Sequence, residues 1–482
     1  MDFEIKIGLE THIQLKTKTK IFCQCPVPKF DSLPNTNICP VCSGQPGSLP
    51  VLNKKAIDLA IKAGLALNCS INKKSVFVRK NYFYPDMPKG YQITQFENPI
   101  CQNGFMEISE NKRIRIRRIH LEEDAGKSLH YIGSRKLDYT LIDFNRCGIP
   151  LIEIVSEPDI NNSEEAYKYL FELHKLLKWL DISNCDMEKG EFRCDVNISV
   201  SKDKKVEIKN LNSFKAIREA ISYEINRQRE MILNGIEIIN DTRFWDEKNS
   251  RTISIRLKEK EYDYRYFPEP DLPIINLTEE KINEIRNQII ELPQKIKKYY
   301  IEKYNLTQTE AEILTSNKYL NEYFSKAISF CKERAVKNLT NLIIVQMLNK
   351  INELHIKDEE IFEKSIKPEY IALISDLLSE NKISYSIAKK IFDISWQENK
   401  NPNELLNELG LEIINSVEEI RKLVKESIEY NKKAFEDYKK GQEKASGPII
   451  GFILRKTGGK ADPNIIKEIL KEEANRITDI FE

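Results

Sequence analysis

The chain has 482 residues, of which 41% are hydrophobic and 31% charged, which describes a soluble globular protein of two to four domains. A formal net charge of +1 excludes a global field that would drive it onto nucleic acid or an anionic membrane, so any nucleic-acid contact must use local patches. No run approaches the length of a membrane-spanning helix, and Asp2 and Glu4 belong to an alternating strand pattern rather than to a signal peptide.

In chain order, residues 1–273 read as β-rich with interspersed helices, and residues 274–482 as almost wholly helical, an α+β chain. Phe3, Ile5, Ile7 and Leu9 alternate with polar residues, and the phase runs on through Ile13 and Leu15. That places Glu10, His12 and Gln14 together on the opposite face of the strand. A Glu and a His two residues apart on one face can share a metal; an exposed strand face explains them equally. Next come Cys23, Cys25, Cys39 and Cys42 in a loop rich in Pro and Asn. Two close cysteine pairs suit a tetrahedral zinc thiolate site, closed and therefore structural. The other six cysteines form no disulfide framework.

Two segments, 80–92 and 263–273, combine aromatics with prolines and read as rigid loops. Such loops could stack a base or close over a substrate, and packing accounts for most of their rings just as well. Arginines alternate along Arg113–Arg118, which suits either phosphate contact or a charged edge strand. They lead into His120-Leu121-Glu122-Glu123-Asp124-Ala125-Gly126-Lys127. Three consecutive carboxylates repel one another unless a cation or a proton sits among them, so this segment points to a divalent metal and an anionic ligand. The apolar phase shifts between Ile116 and Ile119, which predicts a bulge.

A further alternation at 193–200, a polar turn at 201–205 and the run Val206–Asn210 read as a hairpin. Asp195 and Asn197 are expected near Glu207 and Lys209. A helix is predicted over 214–233 and another over 278–292, stopped by Pro293. Helical periodicity fills 294–405, with a break at 399–403. In the last segment Gly458 or Gly459 ends one helix, while Asp462 and Pro463 open the next, whose stripe is Ile465, Ile466, Ile469 and Leu470. The glycines of this segment serve either helix packing or close approach to an RNA backbone.

The chain lacks a phosphate-binding loop, a dinucleotide fingerprint and a convincing nucleophile triad. An acyl or amide group would therefore be activated rather than attacked covalently. From the residues alone, the candidate is a metal-dependent phosphate-handling site on a sheet, beside a zinc-clipped loop and a helical arm.

These motifs, in this order, resemble the B-subunit family of the aspartyl/glutamyl-tRNA amidotransferases from end to end. The resemblance rests on Gly8–His12, the four cysteines, Arg79–Gln92, His120–Lys127, Asp143–Arg146, Pro150–Asp159, Cys194–Ser199, Glu207–Ser213 and Asp263–Pro273. The related subunit with an inserted synthetase-like domain fits less well, because no such insertion is present. The resemblance implies a β-rich cradle over 1–293 with a zinc loop at 23–42, a helical domain over 294–405, and a tRNA-contacting helical tail over 406–482. It implies ATP- and magnesium-dependent phosphorylation of the side-chain carboxylate of Glu-tRNA(Gln) or Asp-tRNA(Asn), then amidation by ammonia. Its partners would be a glutaminase (the A subunit), a small C subunit and mischarged tRNA, in a bacterial cytoplasm or an organelle matrix. Carried over by position, Glu10, His12, Glu123, Asp195 and Glu207 are the expected magnesium ligands. Lys127, Arg146 and Lys209 are the expected phosphate or carboxylate contacts, and Cys23, Cys25, Cys39 and Cys42 hold zinc. The chain departs from the family in a short 201–205 turn and at Leu257 and Gly451. The alternative from another class is a zinc-stabilised tRNA-binding adaptor without catalysis.

Overall fold

The N-terminal alternation forms a strand from Lys6 to Gln14, where its apolar positions find cover, while Phe3 and Ile5 ahead of it are only half-buried. Ile7, Leu9 and Ile13 are fully or almost fully buried, while Glu10, His12 and Gln14 on the other face stay partly open. The computed structural model describes residues 3–133, 135–201, 204–257, 261–410, 417–458 and 460–478. It divides into two compact units, Met1–Leu292 and Pro293–Glu482.

The strands of the first unit are β1 (Lys6–Gln14), β2 (Ser70–Ile71), β3 (Lys74–Ser75), β4 (Phe77–Asn81), β5 (Tyr91–Gln95), β6 (Cys101–Ser109), β7 (Lys112–Glu123), β8 (Lys127–Ile132), β9 (Arg135–Asp143), β10 (Pro150–Ser156), β11 (Phe192–Ser201), β12 (Lys204–Lys209), β13 (Asp241–Asp246), β14 (Arg251–Leu257), β15 (Phe267–Pro268) and β16 (Ile275–Asn276). Nine of them form one sheet in the order β14-β13-β12-β11-β1-β10-β7-β6-β2, with β1 in the middle. All its pairings are antiparallel except β12 with β13. Helices α1 (Lys54–Ala66), α2 (Ser163–Trp179) and α3 (Phe214–Leu233) pack on this sheet. They bury Ile61, Leu170, Leu173, Ile217 and Ile221 completely. Each helix starts on a side-chain cap, Asn53, Asn162 and Ser213 respectively, accepting a backbone N–H that the first turn leaves unpaired.

The predicted bulge is present. Pairing with β10 passes from Val155↔Arg118 to Ser156↔Ile116, so Arg117 is the extra residue. The edge-strand reading of Arg113–Arg118 holds only in part: β10 pairs with β7 from Ile116 onward, so Ile116–Arg118 run between two strands, whereas Arg113–Arg115 pair with β6 alone. Three of the β7 arginines are already engaged by carboxylates: Arg113 meets Glu107 at 2.8 Å, Arg115 grips Asp159 with two bonds of 2.9 and 2.6 Å, and Arg117 grips Glu157 at 3.0 and 2.9 Å.

The two aromatic–proline segments pair with each other. β15, β4 and β5 make a small sheet, clasped where Arg79 meets Glu269 at 2.7 and 2.8 Å and Asp271 at 3.0 Å. Most of the rings pack within it, as Phe96 on Tyr266 does with centroids 4.4 Å apart, while Phe83 is 83% exposed.

The helix expected over 278–292 is shorter, α4 (Glu279–Asn287), capped by Thr278. Pro293 does not stop that helix. It opens the next one, Pro293–Tyr304, where its missing N–H costs nothing. The 214–233 helix has the bounds expected of it. In the second unit, the break at 399–403 separates helix Tyr385–Glu398 from helix Pro402–Leu409. The boundary expected at 405/406 falls inside the latter, whose Leu405 and Leu406 are buried. Farther along, Ile420, Val424, Phe435, Ile449, Ile453, Ala461, Ile466, Ile469 and Leu470 share one core. Gly458 adopts φ +61° after the helix Ser446–Lys456, and Asp462 accepts from the Asn464 N–H at 2.7 Å. A Cβ at Gly447 or Gly451 would meet nothing within 4 Å, so helix packing does not explain those two glycines. Gly459, Lys202, Asp203 and the side chain of Leu257 lie outside the described residues.

Candidate catalytic face and cysteine cluster

Strand register turns five separate sequence segments into one charged surface. His12 sits opposite Arg193 on β11 and opposite Glu153 on β10; Glu10 sits opposite Asp195; Asn197 sits opposite Glu207; Glu153 sits opposite His120 on β7. Side chains alternate along each strand, so Glu207 and Lys209, then Arg193, Asp195 and Asn197, then Glu10, His12 and Gln14, then Glu153, then His120 and Glu122 all share one face.

At its centre, His12 Nε2 lies 3.4 Å from Glu153 and 3.6 Å from Glu122, and His120 Nε2 lies 3.1 Å from Glu153 and 3.7 Å from Glu122. His12, Glu122 and Glu153 offer ligand atoms all within 4.8 Å of one another. Burial alone would lower the His12 pKa, but the carboxylates of Glu153, Glu122 and Asp195 overcome it and raise the pKa to about 9. His120 is raised in the same way, burial opposing and Glu153 and Glu122 prevailing. Glu153 is held well below the ordinary carboxylate range, since the two histidines outweigh the effect of its burial.

The other expected site residues of this sheet stand around that centre. Glu10 accepts from Asn197 at 3.0 Å. Lys209 bonds Asp195 at 2.5 Å and lies 3.6 Å from Glu207, which also accepts from Thr242 at 2.9 Å. Burial would lower the Lys209 pKa, but Asp195 and Glu207 push it upward, so the ammonium is firmly charged.

The three consecutive acids diverge. Glu122 faces the two histidines. Glu123, on the alternate side of β7, takes an ion pair from Lys89 and the Ile93 N–H at 2.9 Å. Asp124 accepts from Gln14 at 2.9 Å and from Arg193 at 2.9 Å. Burial raises the Asp124 pKa, and Arg193 and Arg146 more than reverse that, leaving it lowered. All three are 3% exposed, so the cations that the sequence demanded are supplied largely by the protein itself. Glu123 is thus not brought to His12, whereas Glu122 is.

Arg146 spends its guanidinium on the carbonyls of Ala125 at 3.0 Å and Gly126 at 2.6 Å, so it shapes the acidic turn. It and the exposed Lys127 line a cleft of about 400 Å³ with Gln14, Asp143 and Arg193. Sequence reasoning did not count Glu153, His120 or Arg193 among the site residues. The available signal was Glu153 itself, a lone carboxylate in the otherwise apolar strand Pro150–Ser156.

The sulfurs of Cys23, Cys25, Cys39 and Cys42 also lie within 4.8 Å of one another. A hydrogen bond from Cys23 lowers the Cys42 pKa first, helped by the Cys39 N–H and by Lys20; the same bond raises Cys23. Four sulfurs held this close can become a four-thiolate shell once a cation displaces the protons. The loop is stitched to the turn after β9. The Asn35 N–H donates to Asp143 at 2.9 Å, the Phe144 N–H to Asn35 at 2.7 Å, the Asn37 N–H to Asn145 at 2.8 Å, and Asn145 Nδ2 to the Leu33 carbonyl at 2.7 Å.

Comparison with known proteins bears on this arrangement. Residues 5–283 match the family model described as the GatB/GatE catalytic domain, and residues 322–473 match the one described as the GatB domain. Among similar proteins, the B subunit of the aspartyl/glutamyl-tRNA(Asn/Gln) amidotransferase of Persephonella marina is 46% identical, over 98% of this chain and 99% of its own. Those of Thermotoga neapolitana and Caldicellulosiruptor bescii are each 45% identical, over 98% and 99% of this chain and 99% and 100% of theirs.

Proposed function

Because the chain belongs to the family of B subunits of the aspartyl/glutamyl-tRNA(Asn/Gln) amidotransferases, we propose that its charged sheet face activates the side-chain carboxylate of Glu-tRNA(Gln) or Asp-tRNA(Asn) by phosphorylation from ATP. Ammonia from a glutaminase partner (the A subunit), tied on by a small C subunit, then displaces phosphate and leaves the amide. The reading places the complex in the cytoplasm; among the described residues no helix is long and apolar enough to cross a membrane.

The observation that carries this reading is the His12–Glu122–Glu153 centre inside a five-strand charged face. Two carboxylates with one imidazole fit a magnesium ion, the histidine being an uncommon member of such a set. When bound there, magnesium would neutralise charge on the phosphoryl oxygens. Glu122 and Glu153 would hold it, with His12 as third ligand or as the group that orients them. Glu10, Asp195 and Glu207 form a second acidic bank, kept in place by Asn197 and Lys209. Lys209, Arg193 and Lys127 supply the positive charge that a transferred phosphoryl and an acceptor carboxylate both need. Among the described residues of this face no side chain is arranged as a covalent nucleophile, which accords with direct transfer between two bound substrates. Zinc is the ion proposed for the four cysteines, where its role is to hold the loop.

The test uses Glu122→Ala in the complex reconstituted with its partner subunits. ATP- and magnesium-dependent amidation is expected to fall by at least about 100-fold, with tRNA affinity retained. Intact amidation in that variant refutes the catalytic assignment and favours a tRNA-binding adaptor. Glu123→Ala should act more weakly on chemistry, because Glu123 is occupied by Lys89 and the Ile93 N–H.

A further inference from the structure

Lys20 is 0% exposed, although a buried ammonium is costly unless it is paired. Its Nζ lies 3.5 Å from Cys42 Sγ and 3.5 Å from the Phe144 carbonyl oxygen. Among the described residues no carboxylate lies within ion-pair distance of it, so the Cys42 sulfur and the Phe144 carbonyl are the acceptors that its charge finds. The aliphatic stem is held as well. Gly148, at φ +78°, packs its α-carbon side against Lys20, and its carbonyl accepts from the Ile21 N–H at 2.8 Å.

We propose that Lys20 is a positioning residue for the four-cysteine metal site, balancing the charge of its thiolates and tying that site to the Phe144 turn. Four thiolates around a divalent ion carry a formal charge of two minus. One buried ammonium removes half of it and directs an N–H at a ligand sulfur. The tie matters because the Phe144 turn ends in Arg146, whose guanidinium holds the carbonyls of Ala125 and Gly126 next to the acidic face. The cysteine loop is thereby joined to the site wall by a charged contact, besides the asparagine hydrogen bonds already described.

The role of Lys20 rests on zinc as the occupant, and the experiment separates the two. Zinc content of the purified full-length wild-type chain is measured first; a chain with four reduced thiols and no zinc refutes the occupant. If zinc is present, its loss to a chromophoric chelator is followed in Lys20→Met and Lys20→Arg. Partners of ligand atoms typically matter by about 10- to 100-fold, so that acceleration is expected for Lys20→Met, with Lys20→Arg within about threefold of wild type. A folded Lys20→Met that releases zinc at the wild-type rate overturns the proposal. If Lys20→Met does not fold, amine acylation of the wild type decides. Lys20 should be protected with zinc in place and become reactive once zinc is stripped. Reactivity equal to surface lysines in the zinc-loaded chain, or no change on stripping, overturns it.

Discussion

Replacing Glu153 by Gln removes one charge from the centre of the face while keeping its size and one acceptor oxygen. Glu153 is the strongest attractive partner of His12. The rise of the His12 pKa from 6.5 to about 9, at about 1.36 kcal/mol per pH unit, is worth about 3 kcal/mol of preference for the protonated ring in the metal-free chain. Since the folded value lies above the unfolded one, that stabilisation is fully present below pH 6.5 and is lost as pH rises through about 9. In Glu153→Gln burial regains its weight, and the His12 midpoint should fall by at least about one pH unit. The assay is NMR titration of the imidazole Cε1 protons in metal-free protein. Only five histidines are present, and His12→Gln assigns the signal. A wild-type midpoint near 6.5, or an unchanged midpoint in Glu153→Gln, refutes the reasoning. The same proton makes metal binding pH-dependent: an imidazole must be neutral to ligate, so manganese affinity, read by electron paramagnetic resonance, should rise up to about pH 9.

Other outcomes follow from single contacts. Arg193→Met leaves Asp124 buried with one cation fewer; a buried pair broken on one side costs about 3–5 kcal/mol, and the low end is expected because Arg193 is partly open to water. Its loss of stability, read by denaturant melting, should shrink as pH falls and Asp124 protonates, since the stabilisation from the lowered Asp124 pKa is full above its unfolded value and is lost as pH falls through the lowered one. Gly44 has φ +70°, and a Cβ there would lie 2.9 Å from the Lys89 nitrogen, whereas Gly47 at φ +84° has open space. Gly44→Ala should therefore melt lower than Gly47→Ala, whose cost is backbone strain alone, about 1–2 kcal/mol; equal melting would remove the close approach from the account. Ser213→Ala deletes the α3 cap and should cost about 1 kcal/mol by the same measurement. Chelation of the metal proposed for the cysteines should open residues 23–48 to limited protease cleavage, and an unchanged digestion pattern would argue against a metal clip.

Local pattern was enough for much of this. The alternation of β1, the bulge at Arg117, the 193–209 hairpin, the bounds of α3, the capped last helix and the proximity of four cysteines all follow from spacings of a few residues. Each depends on backbone period or cap chemistry that neighbouring residues decide among themselves. Spacing could not say which segments lie side by side. β1 pairs with β10 and β11, more than 130 residues away, and only that pairing puts Glu153 beside His12 and Asp195 beside Glu10. The cluster of Glu122, Glu123 and Asp124 shows the same limit. Three adjacent acids look alike in sequence, yet alternation along β7 and the approach of Lys89, Arg193 and His12 from distant segments give each a different partner. Which acid faces the candidate metal was decided by long-range strand order.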